Sequence, residues 1–336
     1  MATLNIVSTR PGAGKTCLAG ALARRLAKEG KRVAYYKPLS TNPDNDPDLG
    51  FVGGMLNSMG TSQEGAPSPF PQPVDASQLP TRLSEARTRE VADAVAGLES
   101  AYDTVLVEWQ APALPPDQPT LLVHSHTGGQ DLATAQEMVA AECGRYGSGV
   151  SGIVINNVGR HRGAEVENRL VNPLKSRGLP VLGAIPEDRE MLSLTLEQVA
   201  DFLEGQWVRE PEDPQQWVDR FLIGGNIMDS GPNYFGRYAH QAVITRAQRP
   251  DIQMASLMCD TRFLVLTGGE EPTEYIRVEA QKRDASLLVV EGGTLEVAEH
   301  LGSLLALANP YSDHKLDRFT GLVDQHLQGG LNALLS

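Results

Sequence analysis

The residues that most clearly suggest chemistry are STRPGAGKT, residues 8–16. Gly12 and Gly14 would let backbone N–H groups approach an anion closely, because glycine tolerates conformations that other residues avoid. Lys15 could reach the β- and γ-phosphates of a nucleotide, and Thr16 could offer its hydroxyl to Mg²⁺. The stretch follows a β-branched run and opens a helical pattern, so a helix N-terminus would point at the phosphates. It therefore predicts a nucleotide phosphate-binding loop; the alternative is a chance Gly-Lys-Thr at the start of an ordinary helix.

A phosphate loop of this kind needs a carboxylate on its metal side, at the end of another buried strand. Glu108 closes the apolar run in YDTVLVEWQ, where a buried acid is costly unless it meets a cation. The alternative for Glu108 is a surface turn. A second carboxylate could come from NPDNDPDLGF, which holds Asp44, Asp46 and Asp48, although such a run is also typical of a solvated loop. Spacing alone does not select one of the three aspartates.

Other polar residues stand where predicted strands end. Lys37, in YYKPLST, lies at the carboxyl end of the second predicted strand, which faces the ligand crevice in an open α/β sheet. It could bind a γ-phosphate or an anionic substrate, or be an ordinary surface lysine. Asn156 and Asn157, in INNV, could read a base edge from the same crevice, or serve only as turn residues.

The elements that must position these residues alternate along the first two hundred residues, which is typical of βαβ units on a parallel sheet. Six strands are predicted: TLNIVST, KRVAYYKPL, DTVLVEWQ, TLLVHS, VSGIVINNV and PVLGAIP, with helices between them. Residues 64–80, rich in Pro, Ser, Gly and Gln, predict a surface loop. The expected fold is an α/β domain over residues 1–205, with the parallel sheet of a P-loop NTPase and helices on both of its faces.

Acidic residues and prolines in EGQWVREPEDPQQW predict a linker at residues 206–217. Beyond it, residues 218–336 again alternate apolar runs and helical patterns. They predict a smaller α/β domain that ends in an amphipathic helix from about residue 313 to about residue 327.

Composition narrows the class of protein. The net charge of −13 over 336 residues argues against a general affinity for nucleic acid or for an anionic membrane. Three cysteines, Cys17, Cys143 and Cys259, are far apart and lack metal-site spacing, which fits a reducing compartment. The sequence has no run long enough to span a membrane and no signal-peptide pattern. We therefore expect a cytoplasmic protein.

These motifs, in this order, resemble those of the dethiobiotin synthetase family. Its members have a T-x-x-x-x-G-K-T loop, a K-P-x-x-[ST] strand end, a later aspartate, a V-E-G strand end and an asparagine near the nucleotide base. The matching positions are residues 9–16, Lys37, Asp48, Glu108 and Asn156. Thr9, which departs from the glycine of the common phosphate-loop consensus, matches the threonine of this family.

The resemblance implies that ATP and Mg²⁺ are the ligands. Thr16, Asp48 and Glu108 would surround Mg²⁺, and Asn156 would lie near adenine. Lys15 would act on phosphate, and Lys37 would hold a carboxylate or carbamate in any transfer reaction. The implied nucleotide contacts are Thr9, Arg10, Gly12, Ala13, Gly14, Lys15, Thr16, Cys17 and Asn156.

The remainder of the chain resembles the N-terminal, non-catalytic part of long phosphate acetyltransferases. GLPVLGAIPEDREMLSLTLEQVADFL is similar to the end of their synthetase-like domain, and RPDIQMASL with FLVLTGGEEP is similar to their DRTGG domain. This resemblance implies a dimer and a possible small-molecule site at Arg249, Thr267, Gly268 and Gly269. The acetyltransferase catalytic unit needs a large further domain, so we expect no acetyl transfer from 336 residues.

The sequence also departs from these families. Dethiobiotin synthetases follow the strand-end glutamate with Gly-Ala-Gly-Gly, whereas residues 109–112 are Trp-Gln-Ala-Pro, which disfavours dethiobiotin synthesis more than ATP binding. In the second domain the family's Gly-Asp-Arg is Ala-Gln-Arg at residues 247–249. Arg10 stands where related dimeric ATPases have a lysine that reaches the partner's nucleotide; it could do the same or flank phosphate in its own site.

Three functions are compatible with the sequence. The first is a nucleotide-dependent regulatory module with a second ligand or partner at the DRTGG-like domain. The second is an ATP-dependent carboxylate- or carbamate-activating ligase that uses Lys37. The third is an interaction protein that binds a separately encoded catalytic chain. The DRTGG-like domain favours the first and third, and the retained Lys15, Thr16, Glu108 and Lys37 favour the first two.

Overall fold

The structure is a computed structural model that describes residues 3–60, 68, 71, 73–75, 83–110, 119–213, 215–225, 231–304 and 308–335. The chain divides into two compact units. The first contains Met1–Asp188 and Pro310–Ser336, and the second contains Arg189–Asn309. The chain therefore leaves the first unit once and returns to it at its C-terminal end.

A six-stranded parallel sheet forms the centre of the first unit. The strands of this unit are β1 (Thr3–Ser8), β2 (Val33–Tyr36), β3 (Leu39–Ser40), β4 (Val74–Asp75), β5 (Thr104–Glu108), β6 (Thr120–Ser125), β7 (Val150–Val158) and β8 (Val181–Pro186). The sheet has the order β2-β5-β1-β6-β7-β8, while β3 and β4 form a separate pair. All six predicted strands are confirmed. Their nearly continuous apolar sequences follow from burial on both faces.

The helices of this part of the chain follow the strands. They are α1 (Lys15–Lys28), α2 (Pro47–Ser58), α3 (Glu85–Ala101), α4 (Leu132–Tyr146), α5 (Gly163–Val166) and α6 (Asn172–Ser176), with π-helical turns at Glu167–Val171. In α1, Leu18, Leu22 and Leu26 recur on one face and are buried. Side chains of β5 alternate between the faces of the sheet, so Val105 and Val107 join the core that α3 and α4 share.

The second unit is a smaller α/β fold. Its strands are β9 (Leu194–Thr195), β10 (Gln206–Arg209), β11 (Trp217–Val218), β12 (Arg220–Ile223), β13 (Gln241–Arg246), β14 (Phe263–Thr267) and β15 (Ser286–Val290). Its helices are α7 (Leu196–Phe202), α8 (Gly231–Phe235), α9 (Pro250–Leu257), α10 (Glu274–Lys282) and α11 (Thr294–Leu304). The sheet order is β10-β15-β14-β13-β12, with β12 to β15 parallel and β10 antiparallel at the edge. Separate apolar clusters contain the two sets of side chains that alternate along β13 to β15.

The last helix, α12 (Asp313–Leu335), belongs to the first unit. It packs along α1 and β8. Its buried residues include Leu316, Phe319 and Leu327. Arg24 of α1 reaches Asp317 at 2.8 Å across this contact.

The predicted division of the chain differs from the observed one in two places. Residues 206–217 were predicted to be a linker, but β10 lies within that range and pairs with β15. The last helix was assigned to the second domain, but its contacts place it in the first unit. An amphipathic pattern indicates that a helix buries one face and does not indicate which surface covers that face. Most of the predicted surface loop at 64–80 lies outside the described residues, and within it β4 pairs with β3.

Candidate nucleotide-binding site

The loop between β1 and α1 has the backbone that a phosphate site needs. Gly12 and Gly14 have φ angles of 69° and 98°, in the left-handed region that favours glycine. Gly14 directly precedes the first residue of α1. The Asn156 side-chain amide donates to the Ala13 carbonyl oxygen at 2.9 Å, and a Cβ at Gly14 would lie 2.3 Å from the same nitrogen. The predicted Gly14 is therefore required both by conformation and by space.

Lys15 lies within the loop rather than in solvent, with 9% of its surface exposed. Its Nζ donates to the Ser8 hydroxyl at 3.2 Å, and that hydroxyl donates to the Arg10 carbonyl oxygen at 2.8 Å. A buried lysine held by one neutral hydroxyl is well suited to accept a stronger, anionic partner.

Glu108 ends β5 beside the start of α1 and is only 3% exposed. The Thr16 hydroxyl donates to its Oε1 at 3.1 Å, and the Tyr35 hydroxyl donates to its Oε2 at 2.8 Å. Burial raises the pKa of Glu108, although the positive charge of Lys15 opposes that shift. The surface-turn alternative for Glu108 is wrong. Glu108 is therefore a buried carboxylate next to Thr16, where an acid is costly unless it meets a cation.

The aspartates that spacing could not separate have different environments. Asp44 is exposed. Asp46 is buried and caps α2 by accepting from the Leu49 amide at 3.0 Å, and it also accepts from the Ser40 hydroxyl. Asp48, two residues further on, is only partly buried. Asp46 therefore has a structural role, and Asp48 is the aspartate whose carboxylate remains partly open to a ligand.

Lys37 forms ion pairs with both Asp46 and Asp48. Its Nζ donates to Asp46 Oδ2 at 2.8 Å and to Asp48 Oδ2 at 2.5 Å. Burial opposes the charge of the ammonium, but the hydrogen bonds to the two carboxylates raise the pKa of Lys37. The surface-lysine alternative is wrong, because Lys37 is 3% exposed.

Several residues of this site were not identified from the sequence. Tyr35 lies in β2, two residues before Lys37, which directly follows the strand. The two-residue period of a strand was the signal available for Tyr35. The Tyr311 hydroxyl donates to Asp48 Oδ1 at 2.9 Å and has no local signal, because it lies 263 residues further along the chain. Cys17, predicted as a nucleotide contact, is partly buried. Burial and then the charges of Glu108 and Asp48 raise the pKa of Cys17 to about 12, so its thiol stays protonated.

The other side of the loop contacts the end of β6. Thr9 Oγ1 lies 2.9 Å from His124 Nδ1, and the Arg10 guanidinium donates to the Ser125 carbonyl oxygen. Arg10 is thus engaged with its own chain. Burial, together with the charges of Arg10 and His126, lowers the pKa of His124 to about 4.

The turn after Glu108 was predicted to alter the substrate side of the site. Trp109 is buried, and its Nε1 donates to Asn5 Oδ1 at 2.8 Å, which ties the end of β5 to β1. Residues 111 and 112 lie outside the described residues.

The predicted residues of the second unit each have contacts close by in the sequence or in the sheet. Gly268 and Gly269, with φ angles of 100° and 71°, turn the chain after β14. Thr267 Oγ1 lies 2.9 Å from Thr294 Oγ1 at the start of α11. Arg249 is held by both carboxylate oxygens of Asp251, at 2.9 and 2.8 Å.

No helix in the described part of the chain has the length and apolar character to cross a bilayer. No group of three or more His, Cys, Asp or Glu side chains there is arranged to hold a metal by itself. Mg²⁺ does not require such a group, since it commonly takes one or two carboxylates together with phosphate oxygens and water.

A parallel sheet of this strand order, with a Gly-Lys-Thr loop before α1 and a buried acid on the adjacent strand, defines a P-loop nucleotide-binding protein. Residues 4–199 match the CobQ/CobB/MinD/ParA nucleotide binding domain, and the chain belongs to this family. Residues 198–304 match the DRTGG domain, as the resemblance implied. The narrower label of a dethiobiotin synthetase-like domain is not confirmed.

Three proteins illustrate what the chain is similar to. The phosphate acetyltransferase of Deinococcus radiodurans is 26% identical over 297 residues, covering 80% of this chain and 40% of that relative. The MinD cell division protein of Aquifex aeolicus has a TM-score of 0.39 and 16% identity, over 57% of this chain and 85% of that one. A third similar structure contains the CBS and DRTGG domains of the regulatory region of Clostridium perfringens pyrophosphatase, complexed with the activator diadenosine tetraphosphate. Its TM-score is 0.30 and its identity is 11%, over 47% of this chain and 77% of that one. The chain thus spans less than half the length of the acetyltransferase it matches.

Proposed function

We propose that this protein binds Mg–ATP in its first unit and acts as a nucleotide-dependent regulatory protein. The observation that carries the proposal is the 3.1 Å hydrogen bond between Thr16 and the buried carboxylate of Glu108 at the start of α1. A hydroxyl and a carboxylate in this position are the pair that a P-loop protein offers to nucleotide-bound Mg²⁺.

The residues of the site fit this group. The loop amides and Lys15 would hold the phosphates, with Lys15 exchanging the Ser8 hydroxyl for a phosphate oxygen. Thr16, Glu108 and Asp48 would hold Mg²⁺, and phosphate oxygens and water would complete its shell. The metal would neutralise phosphate charge, and its own positive charge beside Glu108 would offset the cost of burying that carboxylate.

Titration calorimetry of the full chain with ATP and Mg²⁺ tests this proposal. Wild type is expected to bind, and Lys15→Ala to bind about 10- to 100-fold more weakly, because a hydrogen bond to a charged group is lost. Lys28→Ala is the matched control, since Lys28 lies on the same helix with 58% of its side chain exposed. Its affinity should equal that of wild type. Absence of ATP binding by wild type would overturn the proposal.

A second candidate is an ATP-dependent carboxylate- or carbamate-activating ligase of the dethiobiotin synthetase type. The observation in its favour is the buried ammonium of Lys37, which lies beside Asp48 at the metal side of the loop. In such a reaction a substrate carboxylate would replace one of its two aspartate partners. ADP release that increases when amines or carboxylates are added would support the ligase, and nucleotide binding without such release would support the regulatory protein.

The partners we propose are a second copy of this chain and a small molecule or protein at the DRTGG unit. Thr267, Gly268, Gly269 and Arg249 remain the predicted contacts for that second ligand, and a cytoplasmic location remains a prediction. Light scattering with and without Mg–ATP tests the dimer. A monomer in both conditions would contradict it.

A further inference from the structure

Two tyrosine hydroxyls hold the two carboxylates on the metal side of the phosphate loop. Tyr35 donates to Glu108 at 2.8 Å, and Tyr311 donates to Asp48 at 2.9 Å. Tyr35 belongs to the central sheet of the first unit. Tyr311 comes from the segment that follows the second unit in the sequence, so this part of the site is completed only by the C-terminal return of the chain.

The position of Tyr311 is fixed by its surroundings. Its ring packs against Phe51 of α2, with 5.7 Å between the ring centroids. Two residues later α12 begins, and Arg24 of α1 contacts Asp313 at 3.7 Å and Asp317 at 2.8 Å. The hydroxyl is therefore presented to Asp48 by packing on α2 and by ion pairs with α1.

The hydroxyl and one ammonium together orient the Asp48 carboxylate. Lys37 donates to Oδ2, and Tyr311 donates to Oδ1. Burial and the charge of Asp48 raise the pKa of Tyr311, so its hydroxyl remains a donor at neutral pH. A carboxylate oxygen that accepts one hydrogen bond keeps a lone pair for a metal. Hydrogen bonds of this kind orient ligating carboxylates, and loss of such a partner typically weakens metal binding by about 10- to 100-fold.

We infer that Tyr311 is a positioning residue for Asp48, and that the segment after the DRTGG unit therefore sets the Mg²⁺ dependence of nucleotide binding in the first unit. The inference rests on the proposed binding of Mg–ATP. It concerns the increase in ATP affinity that Mg²⁺ produces. The affinity for metal-free ATP depends instead on the loop and Lys15.

The test measures the ATP affinity of the full chain by calorimetry, once in EDTA and once in Mg²⁺. The ratio of the affinity in Mg²⁺ to the affinity in EDTA is then compared between each variant and wild type. Tyr311→Phe keeps the ring and removes the hydroxyl. Its ratio should fall about tenfold, with the affinity in EDTA unchanged. Tyr35→Phe should lower the ratio through Glu108 and serves as the positive reference. Tyr275→Phe removes an exposed tyrosine hydroxyl from α10 in the second unit, and its ratio should equal that of wild type.

A double-variant cycle separates positioning from a general effect on structure. In an Asp48→Asn background, Tyr311→Phe should cause no further change in the ratio, because the two residues act through one carboxylate. A Tyr311→Phe ratio within twofold of wild type would overturn the inference and leave the proposed function intact. Wild type that binds no ATP in either condition would instead overturn the proposed function, and the inference with it.

Discussion

The Asn156 side-chain nitrogen lies 2.9 Å from the Ala13 carbonyl oxygen and braces the phosphate loop from the end of β7. The sequence predicted Asn156 at the nucleotide site, near the base. Its observed partner is the backbone of the loop, one residue before Gly14. The contact therefore links the loop to a second strand of the sheet, and the contact with adenine stays a prediction.

Gly14→Ala is expected to abolish nucleotide binding. The φ angle of 98° is unfavourable for alanine, and its Cβ would lie 2.3 Å from the Asn156 nitrogen, so the loop and the amide must separate. Calorimetry with Mg–ATP, beside circular dichroism to verify folding, measures the effect. Gly54→Ala is the control, because Gly54 is exposed in α2 and no described atom lies within 4 Å of the added methyl. It should bind normally and gain about 0.5–1 kcal/mol of stability. Normal ATP affinity in Gly14→Ala would contradict the assignment of the loop.

Lys37→Met is expected to destabilise the first unit by about 3–5 kcal/mol at neutral pH, because two carboxylates lose their buried counter-ion. Urea unfolding measures this change, and Lys28→Met on the exposed face of α1 should change stability by less than about 0.5 kcal/mol. Although burial opposes ionisation, the hydrogen bond from Lys37 lowers the pKa of Asp46 below its ordinary value of 3.8. The stabilisation is thus present above that value and is lost as the pH falls through the folded-state pKa. The cost of Lys37→Met should therefore shrink in acid; a cost that is constant down to pH 3 would argue against the ion pair.

His124→Asn is expected to reduce the acid sensitivity of the protein. Burial lowers the pKa of His124 from 6.5 to about 4, so the unfolded chain binds a proton that the folded chain rejects. Stability should fall as the pH drops from 6.5 towards 4, by up to about 3 kcal/mol from this group. Unfolding free energies at pH 7 and pH 4.5 measure the loss, which should be smaller in His124→Asn. His300→Asn, at an exposed position on α11, should follow wild type. Identical losses in all three proteins would exclude His124 as the cause.

Gly183→Ala tests the packing of α12 on β8. A Cβ at Gly183 would lie 2.4 Å from the His326 carbonyl oxygen, and backbone atoms cannot move aside as a flexible side chain can. The expected loss is about 1–3 kcal/mol in thermal or chemical unfolding. Gly163→Ala is the control, since among the described residues no atom approaches within 4 Å of its methyl position. Unchanged stability of Gly183→Ala would mean that the C-terminal helix does not occupy this face.

The phosphate loop and the central sheet were predictable because their signals are local. The residues of the loop are contiguous in sequence, and strands buried on both faces read as apolar runs of about the right length. Glu108 and Lys37 could be placed for the same reason: the carboxyl ends of parallel strands meet at one edge of a sheet. The family match over residues 4–199 agrees with this part of the prediction.

The choice among the acidic residues required the tertiary structure. Asp44, Asp46 and Asp48 have equivalent spacing in the sequence, and only the fold shows that Asp46 caps α2 while Asp48 meets Tyr311. The same holds for α12. Its amphipathic sequence predicted a helix, but we assigned that helix to the second domain, whereas it belongs to the first unit.

The sequence by itself determined the loop, the order of the strands in the chain and the ends of the strands at which charged residues stand. Only the tertiary structure decided which distant side chains complete the site, because a hydrogen bond such as that from Tyr311 to Asp48 depends on the return of the chain over 263 residues, and no local pattern records that path.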